Sequence, residues 1–146
     1  MPAIPESGSL LALDVGEKRI GLAVASLAAR LPRPLTTLER DESVMSRLAE
    51  ILQTEDVRLL IVGLPRNLSG EHTAQTLSTE TFIEELRETT GLAMRTQDEA
   101  LTSRAAEQEL ERRGQSYQRG DIDALAATYI LDDFLRDHPN PLEALA

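Results

Sequence analysis

Apolar and polar positions along the chain alternate between short continuous hydrophobic runs and longer helical spacings. Leu10 through Leu13 and Ile20 through Ala25 are continuous apolar runs, predicting two strands buried on both faces. Gly16, Glu17 and Lys18 between them predict a tight hairpin connection in which Gly16 takes φ > 0. A third strand is expected near Leu35–Leu38, and the prolines ahead of it predict an edge position. Asp41 is placed to cap a helix whose inward positions are Val44, Met45, Leu48, Ile51 and Leu52. VRLLIVG, residues 57–63, reads as a buried parallel strand.

A loop, LPRNLSGEH, separates that strand from a helix expected over 71–89 and stopped at Gly91. Leu92–Gln97 is the next strand. Thr102–Arg113 reads as a helix with Gly114 behind it, and Ile122–Arg136 as a final helix. The order is three strands, then helix–strand–helix–strand, then helices. It predicts an α/β domain whose mixed sheet carries helices on both faces. Residues 1–8 are expected to be a loose arm, 9–137 the domain and 138–146 a tail.

Composition narrows the chemistry. The chain has 146 residues, no cysteine, two histidines far apart and a formal charge of −10. Disulfides and thiolate metal sites are excluded, and any metal must be held mainly by oxygen. No apolar run is long enough to span a membrane, and no leader-like segment opens the sequence, so a cytoplasmic protein is expected. The acidity argues against simple electrostatic binding of nucleic acid, which needs basic residues on phosphates. A nuclease of this charge depends on local Arg clusters and bound cations.

Three carboxylate positions fall at strand and helix ends. Asp14 closes the first strand, Asp98 and Glu99 follow the strand LAMRTQ, and Asp123 lies near the start of the last helix. Ligand crevices of open α/β sheets lie at the carboxyl ends of strands. Two charges about 4 Å apart repel by about 4 kcal/mol at an effective dielectric of 20, so converging acids need a shared proton or hard cations. Oxygen ligands suit Mg²⁺ or Mn²⁺, and such sites suit phosphoryl chemistry. Each acid also has a plainer explanation. Asp14 can accept bonds from the turn amides, Asp98 can open a turn, Asp121 can cap the last helix, and Asp123 can interact with its dipole.

LDVGEKRIGLA resembles the D-x-G-x-K-R-[IV]-G-[LV]-A opening of the RuvX/YqgF family. VGLPRNLSG, TQDEALTSRAA and RGDIDALAATYILDDFL resemble that family's later motifs, in family order over about residues 10–136. The resemblance implies a single-domain ribonuclease H-like fold with a mixed five-stranded sheet. It also implies a nuclease, either a Holliday-junction resolvase or a processing enzyme for the 5′ end of precursor 16S ribosomal RNA.

By position, Asp14, Glu99 and Asp123 match the family's catalytic acids and would hold one or two Mg²⁺ or Mn²⁺ ions at a phosphodiester. Lys18 and Arg19 stand where a backbone phosphate is met, or pair with Glu17 or another surface acid. Arg66 and Asn67 are expected at substrate, beside a loop shaped by Gly63, Leu64, Pro65 and Gly70. Thr102 either bonds the substrate backbone or caps its helix. Arg112, Arg113 and Arg119 flank the expected site. Two positions depart from the family: its Arg after Asp-Glu is Ala100 here, and its Lys ahead of the last acid is Asp121.

The implied partner is branched DNA or precursor ribosomal RNA, with no membrane. A resolvase must cut two strands symmetrically and is expected to be a homodimer. Two rival readings remain open at this level. One is a non-catalytic interaction module on the same fold. The other is a nucleotide binder related to actin-like ATPases, in which D-x-G between two strands embraces phosphates.

Overall fold

The computed structural model describes residues 8–65, 74–99, 102–114 and 119–140. Five strands and four helices follow one another as β1 (Ser9–Val15), β2 (Arg19–Ser26), β3 (Arg33–Glu39), α1 (Val44–Thr54), β4 (Val57–Pro65), α2 (Ala74–Thr90), β5 (Ala93–Glu99), α3 (Thr102–Arg113) and α4 (Arg119–Asp137). The sheet order is β3-β2-β1-β4-β5. β1 pairs antiparallel with β2 and parallel with β4, and β5 extends the parallel half. β3 is the edge strand, as its prolines predict, with Pro34 opposite Ala23 just past a register shift.

Alternation along β1 divides the core into two layers. Leu11, Leu13 and Val15 face α1 and α2, where Leu48, Phe82 and Leu86 are buried. Leu10 and Ala12 face α4, where Ile130, Leu131 and Phe134 are buried. Helices therefore cover both faces of the sheet. The α4 face is lined by small residues, Ala12, Ala23 and Ala25 among them, so helix and sheet pack closely there. α3 lies beyond, its Leu110 packing on Leu125 and Ala126 of α4. No helix among the described residues is long and apolar enough to cross a membrane.

Four local expectations change. Gly16 is not at positive φ. Its N–H donates to the Arg19 carbonyl at 2.8 Å, and a Cβ there would stand 2.8 Å from the same oxygen, so close approach is what demands glycine. Asp41 does not occupy the N-cap, which is Ser43. Its carboxylate instead takes the Ser43 N–H at 2.9 Å in a turn just ahead of α1. β5 runs on to Glu99 because β4 continues to Pro65 and keeps the ladder going, with Leu64 opposite Asp98 and Pro65 opposite Glu99. α4 begins at Arg119, which puts Asp121 inside its first turn rather than at the cap.

Most of the expected arm and tail, residues 1–7 and 141–146, lies outside the described residues, as do 115–118. The edges that are described are held. The Gly8 carbonyl accepts the Leu27 N–H at 3.0 Å, and the His138 ring stacks on Phe134 at 4.2 Å between centroids.

Arg40 ties the β1–β2 turn to α2. Its Nη1 donates to the Gly16 carbonyl at 3.1 Å and to Ser78 Oγ at 2.9 Å, while the guanidinium lies 5.0 Å above the centre of the Phe82 ring. Arg40→Ala should lower stability by about 2 kcal/mol through the lost bonds and the cation–π contact. Arg40→Lys should recover little of it, since an ammonium lacks the planar fork. Urea unfolding midpoints for the two variants test this; a lysine variant equal to the parent would show that charge alone suffices.

Candidate active site at the carboxyl end of the central strand

Asp14 continues the Leu10, Ala12 series, so alternation turns it toward α4 where an apolar side chain would otherwise sit. Its cross-strand neighbours are glycines on both sides, Gly21 of β2 and Gly63 of β4. They open the space that α4 fills. A Cβ on Gly21 would collide with the backbone carbonyl of Asp123, and one on Gly63 with the side chain of Ile130. The start of α4 thereby lies close on β2 beside the end of β1, where the Asp123 charge acts on Asp14.

Arg19 lies two residues before Gly21 on β2. Its Nε donates to Asp123 Oδ2 at 2.8 Å across 104 residues of sequence. The two side chains are only 28% and 20% exposed, so solvent and salt screen this pair less than a surface one. The bond to Asp123 holds the Arg19 guanidinium above its ordinary pKa. Asp14 is half-buried, and burial, reinforced by the Asp123 charge, pushes its carboxyl from 3.8 up to about 7. The turn amides do not relieve it, since the Gly16 N–H goes to Arg19.

The remaining expected residues are distributed unevenly. Glu99 ends β5 opposite Pro65, two residues beyond Gln97, which pairs with Gly63 in the same row as Asp14. Its backbone stands two strand spacings from β1, about 10 Å. Thr102 opens α3 three residues later. Lys18 is exposed in the β1–β2 turn. Arg66, Asn67, Gly70 and Ala100 lie outside the described residues. Arg112 and Arg113 pair with Glu109 on their own helix at 3.3 and 3.2 Å. Asp123 sits a full turn inside α4, beyond the reach of the helix-end dipole that would otherwise account for it.

At the sequence level the alternative for Arg19 is a pair with Glu17 or another surface acid; its partner is Asp123, which no local pattern selects. Gly21 went unrecognised, although a glycine inside an apolar strand is itself a signal of close backbone approach. Asp14 and Asp123 offer only carboxylate oxygens, and an acid strained by burial next to a second acid gains from a shared cation. This donor set fits Mg²⁺ or Mn²⁺. Among the described residues no group of three or more ligands is assembled.

Over residues 8–137 the chain matches the family described as "RuvX: Holliday junction resolvase". The chain belongs to the RuvX family. RuvX relatives at this distance include a "Putative pre-16S rRNA nuclease" of Chloroflexus aggregans, 37% identical over 91% of this chain and 96% of that protein. One of the same name from a Ruegeria species is 36% identical over 91% and 87%. Among solved structures, "T. thermophilus RuvC in complex with Holliday junction substrate" superposes with a TM-score of 0.56 at 14% identity, covering 91% of this chain and 97% of that one. That likeness shows a shared ribonuclease H-like fold. The RuvX assignment and the mixed five-stranded sheet agree with the architecture expected from the sequence.

Proposed function

We propose that this chain is a divalent-metal-dependent endonuclease that hydrolyses phosphodiester bonds in structured nucleic acid, with Asp14, Glu99 and Asp123 as its ligand carboxylates. The observation that carries the reading is Asp123 lying near enough for its charge to raise the half-buried Asp14, with Gly21, opposite Asp14, admitting the Asp123 backbone. A fold maintained for packing alone would put an apolar residue at position 14.

Asp14, Glu99 and Asp123 would hold Mg²⁺ or Mn²⁺, which would supply Lewis acidity at the phosphoryl group and lower the pKa of attacking water. Asp14, its carboxyl raised to about 7, is divided between its protonated and ionised forms near neutrality, and a cation would favour the ionised one. Asp123 is carried on a helix whose backbone packs directly on Gly21. Lys18 and Arg19, beside the turn, meet the backbone phosphate, with Arg66, Asn67 and Thr102 contributing from the neighbouring segments.

The names carried by relatives at 36–37% identity support precursor 16S ribosomal RNA as the first substrate to try. Branched DNA is the second, and it brings the expectation of a two-fold dimer. The test is a cleavage panel of precursor rRNA 5′ leaders, four-way junctions and plain duplexes. Cleavage is expected with Mn²⁺ or Mg²⁺, and none with Zn²⁺ or in EDTA. Full cleavage in chelator would overturn the metal mechanism. Silence on every substrate, with a stable protein partner bound, would favour the interaction-module reading.

A further inference from the structure

The charge of Asp123 is already engaged. Arg19 Nε holds its Oδ2 at 2.8 Å, in a pair largely withdrawn from solvent. A Mg²⁺ ligand must bring a carboxylate oxygen to about 2.1 Å of the ion. The other Asp123 oxygen is open to an ion, but a guanidinium and a dication drawn to one carboxylate repel each other, so the ion loads more easily once the guanidinium gives way. Of the two, Arg19 is the freer to leave: it is the first residue of β2, beside the turn, with a long side chain 28% exposed, while Asp123 sits on a helix packed close on Gly21.

We propose that Arg19 and the divalent ion alternate on Asp123: the guanidinium occupies the carboxylate in the metal-free protein and is released when the ion loads. The inference rests on the reading of Asp123 as a ligand. The freed guanidinium faces the site, and a backbone phosphate supplies the anion it has lost. Metal and phosphodiester therefore favour each other's binding, and by linkage each strengthens the other by the same factor. Neither alone fully assembles the site, which restrains metal loading on a chain of charge −10 until substrate arrives.

Two measurements decide it. In the wild-type protein the Arg19 Nε–H resonance should be protected from exchange in EDTA and should lose that protection on saturation with Mg²⁺. A signal still protected at saturation would overturn the exchange. Separately, free Mn²⁺ followed by electron paramagnetic resonance gives the affinity without nucleic acid. Arg19→Gln should bind Mn²⁺ about fivefold to tenfold more tightly than the parent, the worth of a shielded charged pair. Binding no tighter than the parent would overturn the proposal.

Asp123→Asn separates this failure from a deeper one. Unchanged Mn²⁺ affinity in Asp123→Asn would remove Asp123 from the metal site and with it the functional reading. Lost affinity in Asp123→Asn, with Arg19→Gln unaltered, would overturn only the alternation. Should Arg19→Gln fail to fold, the wild-type resonance decides alone.

Discussion

Asp14→Asn should abolish cleavage and yet melt at a higher temperature than the parent in EDTA at pH 8. Burial and the neighbouring Asp123 raise the Asp14 carboxyl from 3.8 to about 7, so the folded state holds this proton more tightly than the unfolded chain. Stability from this source is present below pH 4 and is lost as pH rises toward 7. At pH 8 the folded protein therefore carries the full cost of an ionised Asp14, on the order of 2–4 kcal/mol. Asparagine keeps the shape, removes the charge and removes the cost, but it is a poor ligand for a divalent ion. The gap between variant and parent should close toward pH 4, where both are neutral at this position. Melting curves in chelator at pH 4.5 and 8, beside cleavage rates with Mn²⁺, test both halves. A variant less stable than its parent at pH 8 would mean that Asp14 is a satisfied structural acceptor.

Gly21→Ala should be strongly destabilising. The added Cβ would meet the Asp123 carbonyl and the Ala124 nitrogen, both backbone atoms inside α4, so no side-chain rotation relieves the clash. The helix must shift as a body, disturbing its contacts with β1, β2 and β4. A cost of about 3 kcal/mol or more is expected, at the upper end for overpacking. Gly63→Ala provides the control. There the new methyl meets the end of the Ile130 side chain, which can rotate or be shortened. A cost of about 1–2 kcal/mol is expected, partly recovered in Gly63→Ala with Ile130→Val. Denaturant midpoints rank the variants, and equal losses at the two glycines would contradict the backbone-contact account of Gly21.

What the chain revealed in advance depended on whether its cause was local. The apolar runs at Leu10–Leu13 and 57–63 declared buried strands because period and burial are written in consecutive residues. Gly91 and Gly114 marked helix ends and do take positive φ, at 66° and 68°. The end of β5 was set too early because Asp98 and Glu99 are poor strand formers, and only the partner strand keeps them in the ladder. The start of α4 was set too late for a similar reason, since Arg-Gly-Asp reads as a loop in isolation. At the site, Asp14 and Asp123 were picked out by position and motif. Their mutual approach was not, because it depends on Gly21 and Gly63 lying on either side of Asp14, and that requires the strand register. The Arg19–Asp123 bond links opposite ends of the sequence and leaves no trace in either neighbourhood.

Arg40 has a consequence for how far the length of chain between β4 and α2 can vary. Pro65 ends β4 in register with Glu99, and Arg40 holds Ser78 and Phe82 of α2 against the turn after Asp14. Both of these ends are thus fixed to the frame that carries Asp14. Between two fixed points chain entropy charges little for length: doubling a flexible connection adds only about 0.6 kcal/mol. Insertions and deletions between Pro65 and α2 should therefore leave Asp14 where the sheet sets it.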